Sequence, residues 1–270
     1  MSPFQPPLEL NEVSSKFNRF PNIEFFDKGG QAYLYKVLFD KKSAILKIYG
    51  DSHFVRAHRE CEVLEKLDSK YIVNLFDWGE VEIRGQKCIY TITEFIQGKT
   101  LKEEIRESVF NEEKTIRLGL DLISAVKELW DLDKIVHRDI KPSNIMIDTS
   151  GSAIVLDLGI ARHTNRSTIT EWGVSWGTSG YKSPEQARAR RNLTFKSDLF
   201  AIGIVLYEVI SGKHPFERRQ ELIGRIIPIE VREISEASFT LSKLIQLLLK
   251  ENPLDRPRNF EIVYKLLKGE

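Results

Sequence analysis

Hydrophobic and polar positions divide this chain into two textures. From about Ile23 to Phe95 the apolar residues fall in short β-rich runs, interrupted by one helical stretch. Tyr33–Phe39 and Ser43–Tyr49 are two such runs, and the polar turn Asp40-Lys41-Lys42 between them predicts a hairpin. Ile72–Trp78 and Lys87–Phe95 predict further strands, while His53–Leu67 carries Val63, Leu64 and Leu67 at helical spacing. After Gln97-Gly98 the period changes. Leu101–Ile105 opens helical, and Lys114–Leu132 places Ile116, Leu120, Ile123, Val126 and Trp130 three or four apart. Ala153–Leu156 reads as a short strand. Ser197–Ser211 is apolar nearly all round, which predicts a helix buried in the middle of a larger lobe. Ser238–Leu249 and Asn259–Leu267 predict two more helices. The Pro-rich opening lacks periodicity, so residues 1–14 read as a flexible lead-in to a small β-rich lobe over 15–95 and a helical lobe over 96–270. A cleft between two lobes is a favoured place for a ligand.

Composition narrows the function classes. Lys and Arg total 40 against 39 for Asp and Glu, a balance that argues against bulk nucleic-acid binding. The basic clusters Arg188-Ala189-Arg190-Arg191 and Arg218-Arg219 are short and far apart, and read as solvated loops. Cys61 and Cys88 are too few for a disulfide scaffold and fit buried thiols in a reducing cytosol. The most apolar run, Phe200 to Ile210, contains Glu208 and does not predict a membrane span. The N-terminus lacks the basic start and apolar core of a secretory signal. These features predict a cytoplasmic chain with no membrane partner. The sequence stops soon after its last predicted helix, so no sensor, anchor or extra docking domain is expected within it.

The candidate chemistry is concentrated in His137-Arg138-Asp139-Ile140-Lys141-Pro142-Ser143-Asn144, with Asp157-Leu158-Gly159 beginning thirteen residues after Asn144. Two carboxylates and an amide at this spacing can accept a proton and hold a hard cation through oxygen, whereas no Cys/His set suits zinc. Upstream, Phe26-Asp27-Lys28-Gly29-Gly30-Gln31-Ala32 carries small residues that let backbone N–H groups approach a polyanion. A Gly-Gly hairpin turn with no ligand explains that segment equally well.

Together these segments resemble a serine/threonine protein kinase catalytic domain of the eukaryotic-like, Hanks type, over about residues 15–268. The compact loops look bacterial. The resemblance implies an α+β fold with two lobes, a small β-rich N-lobe bearing one regulatory helix and a larger, mainly α-helical C-lobe. It implies ATP and Mg2+ as cofactors, with Mn2+ as the alternative ion, and proteins bearing Ser or Thr as partners. Asp139 would accept the substrate hydroxyl proton, Lys141 would neutralise the transferred group, and Asn144 and Asp157 would hold metal. Lys47, in the strand Ala44–Ile48, would clamp phosphates with a glutamate from the following helix. Glu60 is the expected partner because it shares a face with Val63, Leu64 and Leu67, whereas Glu62 falls on the opposite side and Glu65 is a further competitor.

Aligned on Leu34, the loop's three glycine positions hold Asp27, Gly29 and Ala32, and residues 27–32 would cradle the phosphates. Asp27 departs from the pattern and places a carboxylate near the nucleotide. Thr93 would back the adenine pocket, with backbone groups of Glu94 and Ile96 on the adenine edge. Gly177–Glu185 resembles the family's docking stretch, with Thr178 orienting Asp139 and Lys141, and Glu185 pairing with Arg256. Asp198 and Gly203 match anchoring positions in the following apolar helix. Arg138 would receive a phosphate added at Thr168, Thr170 or Ser175, with Ser167 a weaker candidate, and dimerisation would permit autophosphorylation in trans. A different class remains open, a pseudokinase that binds partners and nucleotide with little transfer, motivated by Asp27.

Overall fold

In the computed structural model, the chain divides into two units, Met1–Ile96 and Gln97–Glu270. The structure describes residues 4, 7–28, 32–50, 53–158, 162–163, 180–190, 192–216 and 237–270. The first unit holds strands β1 (Glu24–Lys28), β2 (Ala32–Phe39), β3 (Lys42–Tyr49), β4 (Leu75–Ile83) and β5 (Gln86–Glu94) in one antiparallel sheet, ordered β1-β2-β3-β5-β4. Two tight hairpins set its register. Phe39 pairs with Lys42, leaving Asp40 (φ 47°) and Lys41 (φ 66°) as the turn. Ile83 pairs with Gln86 around Arg84 (φ 54°) and Gly85 (φ 74°). Two successive left-handed residues give the turn whose twist matches the flanking strands.

That register sorts the side chains, since directly opposed residues share a face. One face carries the rows Ala32–Tyr49–Ile89 and Leu34–Lys47–Thr91, with Ile45 opposite Thr93. Helix α2 (Phe54–Leu64) packs on it through Ala57 and Cys61. The other face carries Tyr33, Tyr35, Val37, Leu46, Ile48 and Ile92.

The N-terminal segment covers this second face, and here the expected flexible lead-in over residues 1–14 is corrected for the described residues. Phe4, Leu8, Val13, Phe17 and Phe20 are buried in the same core, and helix α1 (Leu10–Lys16) lies within that stretch. Glu9 and Glu12 form a reciprocal cap at its start. Glu12 also accepts from Arg84 Nη2 at 2.6 Å, and that guanidinium holds its carboxyl down at about 2. Arg19 pairs with Asp77. The Pro-rich opening masks this in sequence because the apolar residues are spread one per turn over a short helix. Leu8→Ala is expected to cost about 2 kcal/mol, the low end for a buried leucine because Leu8 lies at the core's edge. Thermal unfolding with no shift from wild type would show the segment to be dispensable.

The strand expected at Ile72–Trp78 begins instead at Leu75 and runs to Ile83. Asn74 ends the irregular approach, its carbonyl accepting from Glu94 N at 2.9 Å and its amide donating to Glu94 Oε2 at 2.8 Å.

The second unit begins with β6 (Gly98–Thr100), α3 (Leu101–Glu107) and the long α4 (Glu112–Asp133). A Cβ on Gly98 would meet Ile147 O at 2.0 Å, so only glycine lets β6 lie against β8 (Ile145–Asp148). Strand β9 (Ala153–Val155) completes that sheet, in the order β6-β8-β9. Lys134 ends α4 in the left-handed conformation and turns the chain into β7 (Ile135–Val136), which pairs with β10 (Arg162–His163). Next come α5 (Pro184–Ala187) and α6 (Phe195–Ser211), buried along nearly all its length as its composition predicts, then α7 (Phe239–Leu248) and α8 (Phe260–Leu267). Gly203 gives α6 its close crossing with α7, because a Cβ there would lie 2.8 Å from Leu248 Cβ.

Candidate active site

Residues singled out in the first unit gather on the α2 face of the sheet. Ala32, Leu34 and Lys47 belong to it by register, and so does Asp27, which a bulge at Phe26 brings opposite Leu34. Asp27 Oδ1 accepts from Lys28 N at 2.7 Å, and the Lys28 ammonium lies 5.5 Å from the centre of the Tyr33 ring. Gly29, Gly30 and Gln31 lie outside the described residues.

Among the three glutamates of α2 and its end, environment makes the choice. Glu60 is 3% exposed. Glu62 faces solvent beside His58 at 3.7 Å, and Glu65 accepts from Trp78 Nε1 at 2.6 Å. Among the described residues no ion pair joins Lys47 to Glu60; the Glu60 carboxylate accepts from the Tyr49 phenol at 3.4 Å. Both charges act on the Cys61 thiol, which packs with α2 against this face of the sheet. Burial pushes the Cys61 thiol up, Glu60 pushes it further, and Lys47 opposes them.

At the end of β5, Thr93 is buried. The N–H groups of Glu94 and Phe95 donate to Asn74 O (2.9 Å) and Ser43 O (3.3 Å), while that of Ile96 meets no backbone carbonyl among the described residues. Phe26, which sequence reasoning passed over, sets its half-exposed ring edge-on to Phe95 at 5.9 Å. Its place before the Gly-rich segment was the available signal.

The second unit builds the other cluster. Strand β7 delivers the chain to His137, and Asp198 in the first turn of α6 seizes it there. Asp198 Oδ2 accepts from His137 N and Oδ1 from Arg138 N, each at 2.9 Å. Both carboxylate oxygens are thereby spent on backbone, and Arg138 takes φ 71°. Complete burial raises the Asp198 pKa to about 7, against the pull of the two N–H donors. Gln186 Nε2 donates to Arg138 O at 3.0 Å, locking the strained residue from its other side. The clamp by both Asp198 oxygens was not legible, because its members lie about sixty residues apart in sequence.

His137 is fully buried, its Nδ1 accepting from Asp139 N at 3.2 Å, and burial holds its pKa below the usual range. One oxygen of Asp139, Oδ2, accepts from Lys141 Nζ (2.7 Å) and from Asn144 Nδ2 (2.9 Å). The same amide nitrogen donates to Asp139 O at 3.0 Å, so the Asn144 side chain presents Oδ1 elsewhere as an oxygen donor. The hairpin β8–β9 then fixes what lies beside Asn144. Ile145 pairs with Val155, and one step outside the ladder Leu156 N donates to Asn144 O at 2.9 Å. Asp157, the next residue, is therefore carried to the same end of the hairpin as Asn144. An amide oxygen and a carboxylate fit Mg2+, which is commonly held by one or two carboxylates and completed by phosphate oxygens and water. Among the described residues no group of three or more His, Cys, Asp or Glu forms a self-sufficient metal cage.

Behind this cluster the expected Glu185–Arg256 pair is present. Arg256 donates to both Glu185 oxygens (2.7 and 3.0 Å) and to the carbonyls of Lys196, Lys250 and Glu251. Ser197 Oγ adds 2.7 Å to Glu185 Oε1. Thr178, Thr168, Thr170 and Ser175 lie outside the described residues, as does Ser167.

The family described as the protein kinase domain matches residues 28–266. Curated relatives include the probable serine/threonine-protein kinase PknB of Corynebacterium glutamicum, 39% identical over 165 residues, which is 60% of this chain and 25% of the relative. Serine/threonine-protein kinase PrkC of Bacillus subtilis is 35% identical over 208 residues, 74% of this chain and 31% of its own. A probable serine/threonine-protein kinase PknB of Lactococcus lactis is 32% identical over 210 residues, 74% of this chain and 32% of its own. The matches thus span about a quarter to a third of these relatives' length. No helix among the described residues is long and apolar enough to cross a membrane.

Proposed function

The chain belongs to the protein kinase domain family, in the serine/threonine branch, and we propose that it transfers the γ-phosphoryl group of ATP to serine and threonine hydroxyls of proteins. The observation that carries this reading is the Asp139 cluster, a carboxylate held by Lys141 and Asn144 next to the Asp157 end of a hairpin. In the transfer, the acceptor oxygen forms a bond to the γ-phosphorus as the bond to the β,γ-bridging oxygen breaks, and the hydroxyl proton goes to Asp139. The loose transition state asks little of base strength and much of position. Lys141, already 2.7 Å from Asp139, lies where it can neutralise the moving phosphoryl group. A divalent ion held by Asn144 Oδ1 and Asp157 would offset the charge of the phosphate oxygens.

Lys47 faces the phosphates from β3 and pairs with Glu60 when nucleotide is engaged; Glu60 already lies buried on the α2 side that Lys47 faces. Ala32 and Leu34 flank the cradle, and the Ile96 N–H and Glu94 carbonyl meet the adenine edge. Arg138, which takes φ 71°, is the proposed receiver of an activating phosphate at Thr168, Thr170 or Ser175.

Incubated with ATP-Mg and a generic basic protein, the chain should place labelled phosphate on Ser and Thr; label confined to Tyr would contradict the acceptor assignment. Thr93→Met is expected to weaken bulky ATP-competitive inhibitors about tenfold or more while sparing ATP, by filling the space behind adenine. Equal loss of both, read in competition binding, would count against that pocket. A second reading, nucleotide binding without transfer, has Asp27 behind it, since that carboxylate shares the face of Lys47.

A further inference from the structure

Thr91 has no part in the machinery described so far. It lies in β5, directly opposite Lys47 on β3 and opposite Trp78 on β4, on the face that α2 covers. Only 2% of it is exposed, and its Oγ1 is buried with no hydrogen-bond partner. The Trp78 N–H is already given to Glu65, so it does not serve that hydroxyl. Valine has the same shape, suits a buried strand better and carries no polar group to desolvate. A hydroxyl kept at such a position needs a partner that arrives in another state of the site.

The register names that partner. Side chains of directly opposed residues start about 4.5–5.5 Å apart at Cβ, and the four-carbon stem of a lysine covers such a gap easily. An ammonium has three N–H donors and no acceptor. Glu60 and a phosphate oxygen take two of them, and the third faces the sheet, where Thr91 Oγ1 is the buried acceptor opposite. We propose that Thr91 is a positioning residue for Lys47: its hydroxyl accepts the third N–H and fixes the direction in which the ammonium meets the phosphates of ATP. This rests on the nucleotide-binding reading above.

The test is titration calorimetry with ATP-Mg and, separately, with adenosine, on wild type, Thr91→Val and Thr91→Ser. Thr91→Val should weaken ATP-Mg about tenfold, which is about 1.4 kcal/mol, and leave adenosine unchanged, because Lys47 acts on the phosphates alone. In turnover the loss should fall on KM for ATP more than on kcat. Thr91→Ser, which keeps the hydroxyl, should stay within about twofold of wild type. The valine variant should melt no lower than wild type, since it sheds an unpaired buried group. Equal affinities for ATP-Mg in wild type and Thr91→Val would overturn the proposal, as would a matching loss of adenosine, which would mark a deformed pocket. Should valine prevent folding, Thr91→Cys keeps the size, gives up most of the hydrogen bonding and carries the same expectations. Wild type that binds adenosine and ATP-Mg with no contribution from the phosphates would instead remove the Lys47 clamp itself.

Discussion

Asparagine in place of Asp139 is expected to slow phosphoryl transfer by about 10²- to 10⁴-fold and to leave ATP-Mg affinity near that of wild type. The side chain keeps its shape but can no longer take a proton. Its neighbours make the effect specific. Lys141 Nζ and Asn144 Nδ2 both donate to Asp139 Oδ2, and an amide replacing the carboxylate satisfies the two donors only through its oxygen. That orientation turns the new NH2 toward the acceptor hydroxyl, where it donates and cannot accept. In the proposed site the adenine contacts and the Lys47 clamp come from other residues than Asp139, so binding is expected to survive. Single-turnover transfer alongside equilibrium ATP binding separates the two quantities, and parallel losses of rate and affinity would show Asp139 to be a binding residue.

The largest stability effect is expected at Glu185→Ala. Arg256 is fully buried and gives donors to Glu185 and to three carbonyls. Removing the carboxylate strands a guanidinium in the interior, a class of change that costs about 3–5 kcal/mol, a large share of a typical domain's stability. Arg256 also stacks over Phe200 at 4.7 Å, so the damage should spread into α6 and reach the Asp198 clamp on His137 and Arg138. A double replacement by apolar residues of similar volume should recover much of the loss. Burial pushes the Glu185 carboxyl up, but Arg256 and Ser197 outweigh it and hold its pKa below the ordinary 4.5. Its contribution is therefore full above that value and fades as acidification passes through the lower folded value. The alanine variant should lack this acid-side loss. A melting temperature unchanged by Glu185→Ala would show the pair to be of no structural account.

What could be read from sequence follows contact distance along the chain. His137–Asn144 was legible because its members are contiguous, and Asp157 because a short hairpin returns the chain beside Asn144. The alternation of β3 gives Lys47 a face, but its neighbours on that face depend on strand order. That β5, rather than β4, lies next to β3 is what sets Thr91 against Lys47, and nothing local encodes it. The Asp198 clamp on two backbone N–H groups is hidden for a related reason: a buried acid in an apolar helix shows its position but not its partners. Helix α1 was missed because its apolar residues are sparse and follow a Pro-rich start, although Val13 and Phe17 keep helical spacing. The change of texture at Gln97-Gly98, by contrast, was visible, and the close approach of Ile147 O supplies the reason for the glycine.

The Asp139 cluster is proposed to perform transfer and to do more than support a nucleotide-binding fold. The most direct measurement incubates the wild-type chain with ATP labelled at the γ-phosphate and Mg2+, and quantifies ATP binding and protein-bound label in one preparation. The expected result is saturable ATP-Mg binding accompanied by covalent label on the chain and on an added protein, with labelling about 10²- to 10⁴-fold slower in Asp139→Asn. Saturable binding with no label transferred by the wild type would contradict it.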